Sequence, residues 1–149
     1  MSTMRIVLVA LVDPDGAVLL RLNGDQSTTR ARRASLPGGM IKAGESPEQA
    51  AVRLVGSQTG LQTQPSDLQR AFSGLLPDRP VAVTLLAAPT TARSSDIEVH
   101  GAYIAGFAPG EDVLSGRAFT TATGFVLNVF MNSLLYQALA RRPDTTDLA

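Results

Sequence analysis

The residues of this chain that could do chemistry begin with two candidate proton-transfer groups, Glu45 and His100. An imidazole has the side-chain pKa best placed for proton transfer near neutrality. The pKa of Glu45 would rise in the apolar neighbourhood that Leu54 offers, as a general base requires, whereas Arg53 would oppose that rise. A lone histidine at a strand position is more often structural than catalytic, so a structural and a catalytic role both stay open for His100.

A second set of candidates is cationic and could bind an anion. A polar loop over residues 23–34 leads into a glycine-rich segment, and guanidinium groups fork onto phosphate or carboxylate oxygens. These residues could bind a small anionic ligand, whereas most surface arginine clusters are solvated loops with no ligand. The candidate substrate-binding residues are Arg30, Arg32, Arg33, Gly38, Gly39 and Lys42. Further candidate acids and bases are Glu48, Asp96, Glu98, Glu111 and Asp112.

A helix is predicted over residues 46–59, and it would position several of these candidate residues. Ser46 can cap the free N–H groups, and Pro47 suits the first helical position because its missing donor costs nothing there. Gly60 supplies a left-handed stop. This helix follows directly on the glycine-rich segment, so it would fix that segment and Glu45.

The stretch 37–61 resembles the Nudix box. In that motif a glycine is followed after five residues by Glu, and then after seven more by Arg-Glu, an aliphatic, any residue, Glu-Glu, any residue and Gly-aliphatic. The matching positions are Gly39, Glu45, Arg53, Val55, Gly60 and Leu61. The resemblance implies an α/β (α+β) sandwich with a mixed β-sheet between helices. It also implies that Glu45 is a loop carboxylate oriented by Arg53, with Arg53 and Gly60 as structural parts of the box.

The chain departs from this motif where the family holds magnesium. The three family glutamates fall on Leu54, Ser57 and Gln58, which share one helix face. Magnesium needs charged oxygen ligands, whereas leucine offers none and the other two offer neutral, weak ones. Lys42 also stands where many relatives carry a further glutamate. We therefore expect no bound metal and no other cofactor.

The resemblance implies hydrolysis of diphosphates linked to another moiety, often a nucleoside. Without the glutamates we expect magnesium-dependent hydrolysis to be absent or very slow. One hypothesis is a binding module or ligand sensor for a phosphate or carboxylate, and another is metal-free chemistry on a small metabolite, such as isomerisation, cyclisation or elimination. A third is an atypical diphosphatase whose magnesium moves to Glu45, Asp96 and Glu98, the last two facing the same side of a predicted strand.

Composition bounds the class of protein. A length of 149 residues fits one domain over 1–149. Lysine plus arginine and aspartate plus glutamate both number 13, which argues against nucleic acid as an obligatory partner. With no cysteine and one histidine, structural zinc and multi-histidine metal sites are excluded within the chain. No apolar run is long enough for a membrane span, so we expect a cytoplasmic protein without a membrane partner.

The remaining elements are predicted mostly as strands. Residues 5–22 indicate a β-hairpin around the turn 13–16, because Pro14 fixes φ and Gly16 accepts a positive one. Further strands are predicted at 35–36, 69–76, 81–88 and 97–107, a helical turn at 109–112, and a second long helix from 121 or 123 to 141. The apolar surface of that helix, with Phe125, Val129 and Asn132 near one stripe, is broader than a simple two-layer helix needs; core packing is the simplest explanation, and a homodimer interface is the alternative. Residues 144–149 are predicted to be a frayed tail.

Overall fold

The computed structural model describes residues 3–23, 33–98, 103–114 and 118–140. The strands are β1 (Met4–Val12), β2 (Val18–Asn23), β3 (Ala34–Ser35), β4 (Gly38–Met40), β5 (Gln69–Leu75), β6 (Val81–Pro89) and β7 (Tyr103–Ala108). The helices are α1 (Pro47–Thr59), α2 (Thr121–Phe130) and α3 (Leu134–Ala140), and short 3-10 turns cover Pro65–Asp67, Ser94–Asp96 and Gly110–Asp112. No helix in these ranges has the length and apolar character that crossing a membrane requires.

Strand β1 is the centre of the molecule because both of its faces are buried. Alternate side chains of a strand point to opposite faces. Leu8 and Val12 therefore lie in one core with α2 and α3, while Val7 and Leu11 lie in a second core with α1. The sheet order is β3-β2-β1-β6-β5, with β4 paired to β1 and β7 paired to β2. Parallel and antiparallel pairs occur together, which confirms the predicted mixed sheet between helices.

The predicted hairpin is confirmed, although its strands separate soon after the turn. Asp13 Oδ1 accepts the N–H groups of Asp15 and Ala17 at 2.9 Å, and Gly16 has a φ of 84°. Only the residues next to the turn pair, in the register Val12↔Val18. Beyond that point β1 pairs with β6 in parallel, and β2 pairs with β7.

Helix α1 begins and ends where the sequence predicted. Ser46 Oγ accepts the N–H of Gln49, and the Gln49 side chain accepts the N–H of Ser46, which is a capping box. Gly60 ends the helix with a φ of 74°, and its N–H donates to the carbonyl of Gly56. Local side-chain chemistry is therefore sufficient to fix both ends of α1.

The prediction of one long C-terminal helix is wrong, because the chain breaks between α2 and α3. Ser133 Oγ donates to the carbonyl of Phe130 and accepts the N–H of Tyr136, so Ser133 acts as the cap of a new helix. Core packing does not account for the whole predicted stripe, since Val129 is 43% exposed and Asn132 is exposed, and the homodimer stays a prediction. The buried residues of α2 are Thr123, Val126, Leu127 and Phe130.

The strand predicted over 97–107 is shorter in the structure. Ser94–Asp96 forms a 3-10 turn in which Asp96 Oδ2 accepts the N–H of Arg93 at 2.9 Å. Glu98 lies outside any strand and donates its N–H to the carbonyl of Thr59. Asp96 and Glu98 therefore do not lie on one strand face, and residues 99–102 are outside the described ranges.

Candidate functional site

The helix face that carries residues 54, 57 and 58 contacts the glycine segment. Gln58 Oε1 accepts the N–H of Gly38 at 3.0 Å, and Gln58 Nε2 donates to the carbonyl of the same residue at 2.9 Å. The Leu54 methyl groups lie 3.5 Å from the position that a Cβ on Gly39 would take. Ser57 Oγ donates to the carbonyl of Leu54 within the helix. All three side chains are engaged in packing or hydrogen bonding.

The predicted pairing of Glu45 with Arg53 is present and is bidentate. Arg53 Nε and Nη2 lie 2.8 Å from the two carboxylate oxygens of Glu45. Arg53 Nη2 also donates to the carbonyl of Met40, and the N–H of Lys42 donates to Glu45 Oε1. Since the Glu45 side chain is only 16% exposed, this pair holds the end of the glycine segment against α1.

These hydrogen bonds lower the pKa of Glu45 from 4.5 to about 2. The Arg53 guanidinium is the largest cause and the Lys42 N–H the next, and together they outweigh burial, which raises the pKa. The expectation of a raised pKa is therefore wrong, because Leu54 packs on Gly39 while Arg53 faces the carboxylate. Glu45 stays ionised near neutrality and is a poor proton acceptor there.

Two cavities meet at the beginning of β1. The loop cavity, of about 430 Å³, is lined by Thr3, Met4, Arg5, Met40, Ile41, Lys42 and Ala43. The helix cavity, of about 340 Å³, is lined by Met4, Ile6, Arg33, Leu76, Arg79, Val81, Thr120, Thr121 and Ala122. Met4 belongs to both, so the two cavities adjoin.

The charged side chains that line the two cavities are all positive. Arg5 and Lys42 line the loop cavity, and Arg33 and Arg79 line the helix cavity, whereas no described lining residue is acidic. All four cationic residues are exposed. Arg79 also lies 3.5 Å from the neighbouring Asp78, an exposed pair that contributes little. Both cavities therefore present positive charge.

Helix α2 adds to this polarity and helps to place Arg33. Its first turn, with Thr120 as N-cap, lines the helix cavity, and the N–H groups at a helix start carry partial positive charge. Ala34, next to Arg33, donates its N–H to the carbonyl of Ala118 and accepts the N–H of Thr120. These bonds fix the end of the basic loop beside the helix start.

The structure brings some of the predicted binding residues together and separates others. Arg33 and Lys42 line the two adjoining cavities. Gly38 and Gly39 contact α1 and line neither cavity, and Gly60 ends α1. Arg30, Arg32 and His100 are outside the described residues, so their predicted roles stay predictions.

Sequence reasoning missed Arg5 and Arg79 as lining residues. Arg5 lies in β1, and Arg79 lies in the turn before β6. The two strands pair in parallel with Met4 opposite Val81, so both strands begin at the same edge of the sheet. The predicted mixed sheet was the signal that could have found them, because parallel strands place their first residues together.

The residues present do not fit a magnesium ion. Gln58 turns an N–H donor, not an oxygen, toward the carbonyl of Gly38, and Leu54 has no ligand atom. Asp96 and Glu98 do not join Glu45 in a displaced site, because no three Asp, Glu or His side chains gather anywhere in the described residues.

The mixed sheet between α1 on one face and α2 and α3 on the other is the architecture of Nudix proteins. The structure is similar to MutT from Aliivibrio salmonicida and Vibrio cholerae, with a TM-score of 0.69, 20% identity, and coverage of 87% of this chain and 98% of that one. MutT protein from Methanosarcina mazei gives a TM-score of 0.65, 20% identity, and coverage of 93% and 96%. The NUDIX domain of Shewanella oneidensis NrtR, complexed with ADP ribose, gives a TM-score of 0.69 and 16% identity, with coverage of 87% of this chain and 86% of that one.

The family follows from the sequence as well as from the fold. The model of the NUDIX domain matches residues 2–97, which is more than half of the chain. The protein therefore belongs to the Nudix family. Comparison with curated protein sequences finds no significant match.

Proposed function

We propose that this Nudix protein binds a small, anionic, nucleotide-like molecule without a metal ion, and that the loop and helix cavities are its binding site. The observation that carries the proposal is that four cationic residues and no acidic ones line these adjoining cavities among the described residues. A ligand here needs no magnesium to screen its charge, because arginine and lysine do so directly.

The lining suits a molecule with one charged part and one apolar part. Arg33 and Arg79 can each form paired hydrogen bonds with phosphate oxygens. Met4, Ile6 and Val81 offer an apolar surface in the same cavity, on which a ring could lie. Polar groups that fix orientation beside an apolar surface are typical of small-molecule sites. The relative from Shewanella oneidensis is complexed with ADP ribose, which makes that compound our first probe.

The same geometry argues against magnesium-dependent hydrolysis of diphosphates. That reaction needs a cation to stabilise charge on the phosphoryl oxygens and to activate the attacking water. Positions 54, 57 and 58 supply no carboxylate, and both carboxylate oxygens of Glu45 bind Arg53. We expect no hydrolysis of nucleoside diphosphate derivatives with magnesium, and a turnover above about 1 per second would contradict the proposal.

Two alternative functions, metal-free catalysis and hydrolysis at a displaced metal site, have less support. Metal-free catalysis would need a proton-transfer group near neutrality, and Glu45, with a pKa of about 2, does not provide one. His100 remains a candidate for that role outside the described residues. A displaced metal site would need Asp96 to be available, whereas its carboxylate accepts the N–H of Arg93. Unchanged metal binding after Asp96→Asn with Glu98→Gln would exclude that site.

The test is thermal denaturation with ADP-ribose and a panel of nucleotides, in EDTA and again in magnesium. We expect a ligand-dependent rise in Tm in EDTA, because a ligand that binds only the folded state stabilises it. Magnesium should add nothing to that rise. Stabilisation that appears only with magnesium would contradict the proposal and favour the hydrolase.

Variants locate the site within the fold. Arg33→Ala and Arg79→Ala should each weaken ligand binding by roughly 10- to 100-fold, the loss expected for a charge-assisted hydrogen bond. Arg70→Ala is the matched control, because Arg70 pairs with Glu48 at 3.0 Å and lines neither cavity. Titration calorimetry in EDTA measures all three. Equal affinities for all three variants would place the ligand elsewhere.

A further inference from the structure

The contact between Gln58 and Gly38 uses both polar groups of a carboxamide. Strand β4 pairs only with β1 among the described strands, so its other edge has no strand partner. At that edge the N–H and the carbonyl of Gly38 both bond to Gln58, at 3.0 and 2.9 Å. A carboxamide carries a donor and an acceptor side by side, whereas a carboxylate carries two acceptors. At neutral pH the contact therefore requires an amide and not a carboxylate.

We infer that Gln58 is a positioning residue whose carboxamide holds β4 against α1, as a substitute for the metal ion that this helix face does not fit. A glutamate at position 58 could still accept the N–H of Gly38. Its second oxygen would then face the Gly38 carbonyl at the present 2.9 Å spacing without a proton between them. Two acceptors at that distance repel each other, and the carbonyl loses its donor.

The contact acts on the binding site through the chain. Gly38 is separated by one residue from Met40, the first residue of the segment Met40–Ala43 that lines the loop cavity. Within the segment, Arg53 holds the Met40 carbonyl and Glu45 holds the Lys42 N–H. Gln58 supplies a further attachment at Gly38, two residues before Met40. With these attachments in place, the cavity wall is formed before a ligand arrives, which reduces the cost of binding.

The experiment compares Gln58→Glu with the control Ser57→Glu. Ser57 is an exposed neighbour in the same helix turn, so its variant adds the same charge at the same helix end without a contact to Gly38. In EDTA at neutral pH we expect Gln58→Glu to have a Tm about 5 °C below that of Ser57→Glu, the size expected for a lost hydrogen bond with an unsatisfied acceptor.

Acid provides a rescue that a merely structural change would not show. A protonated carboxyl has one donor and one acceptor and so reproduces the carboxamide. The Tm difference between the two variants should shrink below about pH 5, as the introduced glutamate is protonated. Equal Tm values at neutral pH, or a difference that stays constant into acid, would overturn the inference.

The effect on the cavity rests on the proposed function and is measured separately. The affinity for ADP-ribose in EDTA should fall in Gln58→Glu and stay near the wild-type value in Ser57→Glu. If the wild-type protein does not bind ADP-ribose, the proposed ligand class fails, while the two denaturation series still decide the role of Gln58. Equal affinities in both variants of a protein that does bind would overturn the positioning role.

Discussion

The two sides of the segment Gly38–Glu45 differ in how their polar groups are used. On the side of α1, Gln58, Arg53 and Glu45 bond to the backbone or to one another. On the cavity side, the cationic lining residues are exposed and no described lining residue is acidic, although the exposed Asp78 lies 3.5 Å from Arg79. One segment thus has two sides: its backbone maintains the fold, and under the proposed function the exposed side chain of Lys42 contacts the ligand.

This separation gives a reason for which box residues the chain retains. Gly39, Glu45, Arg53 and Gly60 all lie in contacts between the segment and α1 or at the end of α1. Those contacts do not depend on a metal. We therefore expect changes on the helix side to alter stability, and changes on the cavity side to alter binding.

Gly38→Ala should have the largest effect, because it would disrupt the close packing of the segment on β1. A Cβ at this position would collide with the carbonyl of Val7, and the φ of 153° is one that L side chains rarely adopt. We expect a loss of at least about 3 kcal/mol in the free energy of unfolding. Gly56→Ala is the control, since the nearest atom to its Cβ is 3.9 Å away, and it should stabilise α1 by about 0.5 to 1 kcal/mol. Urea denaturation measures both, and a Gly38→Ala variant as stable as Gly56→Ala would contradict the structure.

Lys42→Ala should separate the effect on binding from the effect on stability, because only the backbone of Lys42 takes part in the contacts with Glu45 and α1. Its N–H bond to Glu45 survives the substitution, while the ammonium in the loop cavity is lost. We expect about tenfold weaker binding of ADP-ribose with a change in unfolding free energy within about 0.5 kcal/mol. Titration calorimetry and urea denaturation report the two quantities. A large loss of stability with unchanged affinity would reverse the assignment.

Arg53→Lys tests the ion pair through pH. The pKa of Glu45 is lowered in the folded state from 4.5 to about 2. Its ionised form therefore contributes stability above pH 4.5, and this contribution disappears as the pH falls toward 2. Lysine cannot reproduce the forked contact, so the pKa of Glu45 should rise in this variant. Titration of the Glu45 carboxyl carbon by NMR checks this, with Arg70→Lys as control. An unchanged titration midpoint in Arg53→Lys would show that another group holds the carboxylate.

The smallest expected effect is that of magnesium on the free protein. We expect equal Tm values in EDTA and in excess magnesium, since Leu54, Ser57 and Gln58 present no carboxylate. A matched measurement with calcium controls for the effect of salt. A rise in Tm with magnesium alone would mean that the helix side also binds a ligand, and the comparison would no longer hold.

Local chemistry predicted the elements whose ends are set by neighbouring residues. Ser46 and Gly60 fixed α1, and the turn at Asp13 fixed the hairpin, because each acts within a few positions of the chain. The break at Ser133 was missed, since the apolar residues on either side suggested one continuous helix. Serine favours helix caps but also occurs within helices, so the residue alone did not outweigh the apolar pattern around it.

The candidate site was less predictable because its parts are distant in sequence. Lys42 and Arg33 were found from charge beside the glycine segment. Arg5 and Arg79 were not, since only the parallel pairing of β1 with β6 brings them near. The pKa of Glu45 was predicted in the wrong direction, because which neighbour faces a carboxylate depends on side-chain placement that spacing does not determine.

The interruption at Ser133 also has a consequence for motion. Helix α3 is attached by a few identifiable points, among them the Tyr136 hydroxyl on the Gly16 carbonyl at 2.7 Å and the edge-to-face stacking of its ring on Phe130. Leu139 of this seven-residue helix is buried in the same core as β1, but a short helix with its own cap opens locally at a lower free energy than a central strand does. We therefore expect hydrogen exchange to proceed faster in α3 than in β1.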